Sequence, residues 1–331
     1  MERFALAAAV VLGFALTAAL CSLFVPLRRV LERREQQQQP VQSEQPRPAP
    51  LRAPLWGGLC AAAGTVAAVG VGWLAACVGQ PELLGSEGRL MTRLLTALAG
   101  SLAFGAVGLA EDVARMRSPA ALGLRRDVRL LLEALAAAFV LLLLRAAGCL
   151  PRGLGVPGAG YVLLGSAVPF LWAVLMVALA ECARIAERDE GAVCGAAFVA
   201  MLALMMVEAG LGVSGLAVLP AALAGALVAL GLWAFPPARL GVGCCGSLLA
   251  AGAIGCIPLS LDMTSLTVPL ALPFWAAGGL LAAQLLCAKR TGKPLRCWVK
   301  KHKMSPETVL LCSFALSAVG YVLALALLRW C

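Results

Sequence analysis

The run Gly108-Leu-Ala-Glu-Asp-Val-Ala-Arg-Met-Arg117, continued by Gly123-Leu-Arg-Arg-Asp-Val-Arg129, decides what kind of protein this is. An apolar stretch ends on two adjacent carboxylates, Glu111 and Asp112, and five arginines follow at once. In a chain this apolar, so abrupt a change marks the point where a helix leaves a bilayer and holds acidic groups at the water edge.

Hydrophobic residues fill 61% of the 331 positions and charged residues only 13%, for a mean hydropathy of +0.91. That leaves too little polar surface to cover a soluble globule, so a membrane protein is expected. A net charge of +10 could suggest nucleic acid. The basic residues, however, sit in short loops between apolar runs, where membrane proteins concentrate them, and no nucleic-acid partner is expected. The 13 cysteines are scattered through apolar runs, as at Cys21, Cys60, Cys149 and Cys256, without the short pairings of zinc or redox sites. They read as small buried hydrophobes.

Phe4–Leu27 is an apolar run long enough to cross the hydrocarbon, which takes about 20 residues. It is too long for a leader core and reads as a retained first helix. Arg28 to Ala53, with its glutamine run and four prolines, reads as a polar, disordered cytoplasmic loop with almost nothing to bury. Nine further runs follow: Leu55–Val78, Leu90–Ala110, Leu130–Leu150, Tyr161–Ala180, Ala192–Ala209, Gly215–Phe235, Leu240–Ile257, Leu266–Ala288 and Val309–Leu328. The expected architecture is all-α: one transmembrane domain over residues 1–331, with ten spans. Glycine and alanine crowd these runs, as they do where helices must approach closely in lipid.

The loops after the first, third, fifth, seventh and ninth spans carry 21 of the 27 lysines and arginines. By the positive-inside rule those loops are cytoplasmic and both termini face outward. No internal repeat is evident, and Glu208 and Asp262 lie near span ends, so little points to a transporter.

Seven of the 17 acidic residues fall in the third and fifth loops: Glu111, Asp112, Asp127, Glu181, Glu187, Asp189 and Glu190. Carboxylates gathered at one face could hold magnesium, which takes hard oxygen ligands and keeps water for a substrate phosphate to displace. They could instead balance Arg115, Arg184 and Arg188 in wet loops, where ion pairs are common and contribute little. The basic loop from Lys289 to Lys303 could hold a nucleotide diphosphate or anionic lipid headgroups, or serve only as a cytoplasmic anchor.

Five motifs in order carry a resemblance. They are Pro54-Leu-Trp-Gly-Gly58; Gly108-Leu-Ala-Glu-Asp112, with Gly123-Leu124 and Arg129 beyond it; Glu181-Cys-Ala-Arg-Ile-Ala-Glu-Arg-Asp-Glu-Gly191; Phe235-Pro-Pro-Ala-Arg-Leu-Gly-Val-Gly-Cys-Cys-Gly-Ser-Leu248; and Pro294-Leu-Arg-Cys-Trp298. In this order the chain resembles the phospho-N-acetylmuramoyl-pentapeptide transferases. Those enzymes belong to the wider polyprenyl-phosphate N-acetylhexosamine-1-phosphate transferases of glycosyltransferase family 4.

The resemblance implies transfer of a phospho-sugar from a UDP-sugar to undecaprenyl phosphate, releasing UMP, in peptidoglycan precursor synthesis at a bacterial plasma membrane. It implies a magnesium cofactor, partners in the lipid phosphate and the UDP-sugar, and a homodimer. It places Glu111, Asp112, Glu187 and Glu190 in the reaction, with Asp112 and Glu187 toward the metal. The departures are as specific as the matches. Glu111 stands at one of the paired aspartates, Glu187 and Glu190 at two more, and Glu181 and Arg184 at two asparagines. Cys244 replaces the expected magnesium aspartate, and Arg296, Cys297 and Trp298 replace a histidine triplet; His302 is the chain's one histidine. Thiolate is a soft donor, poorly suited to magnesium. Two readings therefore stand: a divergent phospho-sugar transferase, or a catalytically inactive relative acting as a lipid-binding or regulatory partner in envelope assembly.

The sidedness is directly checkable. A reporter active only outside the membrane should report from a fusion at either end and stay silent when inserted in the loop before Pro54; the reverse pattern would invert the assignment.

Overall fold

The computed structural model describes residues 2–38, 56–79, 88–117, 123–151, 153–156, 160–163, 165, 167–187, 190–213, 215–235, 239–280 and 306–330. The long helices are α1 (Glu2–Gln38), α2 (Gly57–Gly79), α3 (Gly88–Arg117), α4 (Arg126–Ala146), α5 (Ala167–Ala186), α6 (Glu190–Gly210), α7 (Val218–Ala234), α8 (Gly243–Ser260) and α9 (Pro306–Trp330). Prolines lie in the first turns of α5, α7 and α9 as Pro169, Pro220 and Pro306, where a helix tolerates them, and also within α1 and α8 as Pro26 and Pro258. Between α8 and α9 come a short 3-10 turn, Thr264–Leu266, and helical pieces at Thr267–Leu270 and 272–280, interrupted at Ala271.

Among the described residues, 7 helices are long and apolar enough to cross a membrane, and the chain is a polytopic, all-α membrane protein. Three expected spans have a different character. Helix α4 carries Arg126, Asp127, Arg129, Glu133 and Arg145; α7 is only 17 residues long; and the run from Leu266 is broken at Ala271.

Two boundaries also differ from the sequence reading. Helix α1 continues to Gln38, so the start of the stretch read as a polar loop is helical. The run from Tyr161 begins as a strand: β1 (Gly153–Val156) pairs antiparallel with β2 (Gly160–Leu163), and the span itself is Ala167–Ala186. Tyr161-Val-Leu163 follows Pro157-Gly-Ala-Gly160, and such glycine- and proline-flanked β-branched and aromatic residues favour a hairpin edge over a helix start.

Helix α8 is the centre of the bundle, with all 18 of its residues buried. Its main partner is α3. Hydrophobic attraction between helices is absent in lipid, so association rests on close packing, and small residues let the backbones meet. Gly108 of α3 lies so close to α8 that a Cβ there would run into the Cys244 carbonyl. A Cβ on Gly252 would lie 3.0 Å from the Phe104 Cβ and 3.1 Å from the Ser101 Cα. Trp172 is buried beside α8 and donates its indole N–H to the Gly255 carbonyl at 3.3 Å. The outward faces are the apolar ones: Leu74, Leu142, Phe170 and Val322 are all more than half exposed, as suits a surface solvated by lipid.

The start of α2 is fastened to the segment entering α8. Gly57 N–H donates to the Gly241 carbonyl at 3.1 Å and Gly58 N–H to the Val242 carbonyl at 3.0 Å. These bonds satisfy two N–H groups that a helix start otherwise leaves unpaired. A Cβ on Gly58 would collide with the Gly246 backbone nitrogen, so the two glycines allow the approach. Trp56 stacks on Phe24 with ring centroids 5.9 Å apart.

The packing argument makes a paired prediction for thermal unfolding in detergent. Gly108→Leu should destabilise by about 1–3 kcal/mol or more through overpacking. Gly70→Ala, where a Cβ meets nothing within 4 Å, should leave the melting temperature unchanged or raise it.

Candidate functional site

Asp112 lies one turn beyond Gly108 on the same face of α3, so the glycine that permits contact with α8 also delivers the carboxylate to its first turn. One carboxylate oxygen accepts from Cys244 N–H at 3.0 Å and the other from Cys245 N–H at 2.9 Å. Val242, the residue before α8, provides no side-chain cap. Asp112 supplies that cap from a different helix, where the positive end of the helix dipole also favours a carboxylate. Gly243 takes φ +69°, a left-handed turn that brings both N–H groups round to face Asp112.

Glu187 follows the last residue of α5, its N–H still bonded to the Ala183 carbonyl at 3.0 Å. Its side chain closes the same pocket. Arg115 Nη1 donates to Glu187 Oε1 at 3.0 Å and to Oε2 at 3.1 Å, and Arg115 Nη2 donates to Glu111 Oε1 at 2.8 Å. The Cys244 thiol donates to Glu187 Oε2 at 2.9 Å. Arg115 Nη1 stands 4.0 Å from Asp112 Oδ1. Glu111, Asp112 and Cys244 are fully buried or nearly so, and Glu187 is 9% exposed.

A second layer backs the first. Arg129 Nε donates to Glu181 Oε1 at 2.7 Å, and Arg184 Nη2 donates to Glu181 Oε2 at 2.9 Å. Arg129 Nη1 lies 3.8 Å from Glu111 Oε1, which joins the layers. Glu133, one turn beyond Arg129 on α4, is fully buried, and neither of its carboxylate oxygens has a hydrogen-bond partner. Sequence reading passed over Glu133 because it sits inside an apolar run; the available signal was an ionisable residue within an expected span, four places from an arginine.

The three cytoplasmic-motif segments expected around residues 111, 187 and 244 therefore meet in one place. Asp127 is exposed and takes no part. The side chains of Arg188, Asp189 and Glu190, and all of Arg296, Cys297, Trp298 and His302, lie outside the described residues. Of the two readings of the acidic cluster, the ion-pair partners Arg115 and Arg184 are present, but the pairs are buried or partly buried where wet loops were expected.

Asp112, Glu187 and Cys244 place potential ligand atoms within 4.8 Å of one another. The set does not fit magnesium. All four oxygens of Asp112 and Glu187 already accept from N–H or S–H donors, and the third ligand atom is sulfur, where magnesium requires oxygen.

A family model, glycosyl transferase family 4, matches residues 94–262, which run from within α3 to just past α8 and include every member of both layers. The chain belongs to glycosyl transferase family 4. No curated protein matches it closely enough to count as a relative. Membership of glycosyl transferase family 4 makes the protein, in general terms, a membrane sugar-phosphate transferase by lineage, with lipid-linked and sugar-phosphate substrates as its class.

Because Asp112 satisfies two buried backbone donors, Asp112→Ala should cost roughly 2–4 kcal/mol of stability, and Asp112→Asn, which keeps one oxygen acceptor, about half as much. Equal melting temperatures for both variants and the unsubstituted chain would contradict the trans-capping role.

Proposed function

We propose that this protein is a phospho-N-acetylmuramoyl-pentapeptide transferase-like protein of the bacterial plasma membrane, with ten spans and both termini outside. Its substrates would be undecaprenyl phosphate and a UDP-linked sugar. A lipid phosphate oxygen would attack the sugar-bearing phosphorus of the UDP-sugar, the bond between the two phosphates would break, and UMP would leave. The observation that carries the reading is the convergence of Glu111, Asp112, Glu187 and Cys244, from three separate stretches of chain, with Arg115.

Each described residue of the cluster has a role its geometry supports. Asp112 positions the first turn of α8 through Cys244 and Cys245 N–H. Glu111 and Glu187 orient the Arg115 fork, and Glu181 orients Arg129 and Arg184. Guanidinium forks match phosphate oxygens, so Arg129 and Arg184, outside the Arg115 pocket, are the groups suited to balance charge on a diphosphate as it is cleaved. Glu190, by its place in the third motif, is the remaining carboxylate assigned to the reaction.

A second reading, a catalytically inactive relative that binds the lipid or regulates a partner in envelope assembly, is favoured by one observation. Arg115 is committed to three carboxylates and would have to be released before it could bind phosphate. Two such chains forming a homodimer fits either reading.

Purified protein supplied with UDP-MurNAc-pentapeptide and undecaprenyl phosphate separates the two. Release of UMP that falls at least ~100-fold in Asp112→Ala supports the transferase, since displacements near 1 Å cost about that much. Retained binding of undecaprenyl phosphate with no UMP supports the inactive relative, and neither binding nor turnover would overturn both.

A further inference from the structure

We propose that Arg115 fills the place of a divalent cation: its guanidinium is the built-in counter-ion of Glu111, Asp112 and Glu187, and their pocket takes no magnesium. The inference goes beyond the functional reading and stands under either of its two forms.

Three carboxylates are gathered on one side chain, as an ion would gather them. One nitrogen of the fork holds both oxygens of Glu187, the other holds Glu111, and Asp112 lies at 4.0 Å. Guanidinium keeps its charge at any physiological pH, so this counter-ion cannot be lost by deprotonation. Arg115 is also built into the scaffold. It is four residues from Glu111 and three from Asp112 on the same helix, and its side chain is only 21% exposed. Gly123, at φ +70°, lets the chain lie against the arginine: a Cβ there would fall 3.1 Å from Arg115 Cγ and 3.4 Å from Nε.

An incoming ion would have to displace the fork and leave a partly buried guanidinium without its partners, which is costly. It would also have to displace the Cys244 thiol proton from Glu187 Oε2. The neutral thiol lowers the negative charge that Arg115, with Arg129 3.8 Å from Glu111, must balance. Thiol and fork are thus matched to each other and mismatched to a hard divalent ion.

The test uses the full chain in detergent with manganese as a spin-active stand-in for magnesium. Equimolar protein should leave the six-line resonance of free Mn2+ undiminished, and millimolar MgCl2 should leave the melting temperature where NaCl of equal ionic strength leaves it. Arg115→Met should melt at least ~5 °C lower and recover part of that loss with Mg2+ or Mn2+. The double variant Arg115→Gln, Cys244→Asp should remove about one equivalent of Mn2+ from the free signal.

Uptake of one Mn2+ by the unsubstituted chain, abolished in Asp112→Asn, would overturn the proposal. So would uptake of one Zn2+ abolished in Cys244→Ser. Unchanged melting of Arg115→Met would overturn the counter-ion role. If either variant fails to fold, the measurement on the unsubstituted chain decides alone.

Discussion

The bond pair from Cys244 and Cys245 N–H to the Asp112 carboxylate is the constraint on which the site depends. It joins the end of the helix that carries the acidic motif to the start of the fully buried central helix. It does so where a helix start would otherwise bury unpaired donors. Gly108 permits the contact, Gly243 turns the donors toward it, and Asp112 completes it. Once those two helices are registered, Arg115 falls within reach of Glu187, which closes the pocket from just after α5. The local choices of three small or acidic residues thereby fix a junction among segments far apart in sequence.

Buried charge is expensive unless its partners are complete, and removing one partner of a buried pair costs more than the pair is worth. Here the inner carboxylates are served by Arg115, two backbone N–H groups and a thiol, with Arg129 3.8 Å from Glu111, and the outer layer repeats the device with Glu181 between Arg129 and Arg184. Such a network has one arrangement of low energy. It therefore defines the junction sharply and leaves Asp112 and Glu187 no oxygen without a donor, while Glu111 Oε2 and both Glu133 oxygens stay buried without a hydrogen-bond partner. This balance separates the chain from a site whose carboxylates wait for an ion. It also explains how a member of glycosyl transferase family 4 can close this pocket with a cysteine in the fourth motif.

The membrane character and most helices were legible in the sequence because apolar runs of span length are a strong signal and the loops between them are charged. The strand at Tyr161 was not, since a short apolar run reads equally well as a strand or a helix start. The acidic segments were legible by motif order, and so was the convergence of residues 111, 187 and 244 that kinship implied. Their partners were only half legible. That Arg115 could meet Glu111 follows from a four-residue spacing on a helix. That it would grip Glu187, 72 positions away, follows only from the packing of α3, α5 and α8. Spacing alone could not say whether those carboxylates faced an ion or an arginine.

The most direct measurement of the central claim is an electron cryomicroscopy map of the protein in lipid nanodiscs containing magnesium, at a resolution that shows side chains. The account predicts the Arg115 fork lying between Glu111 and Glu187, with Asp112 capping the first turn of α8. A map with Arg115 turned away and ion density about 2.1 Å from Asp112 and Glu187 oxygens would contradict it.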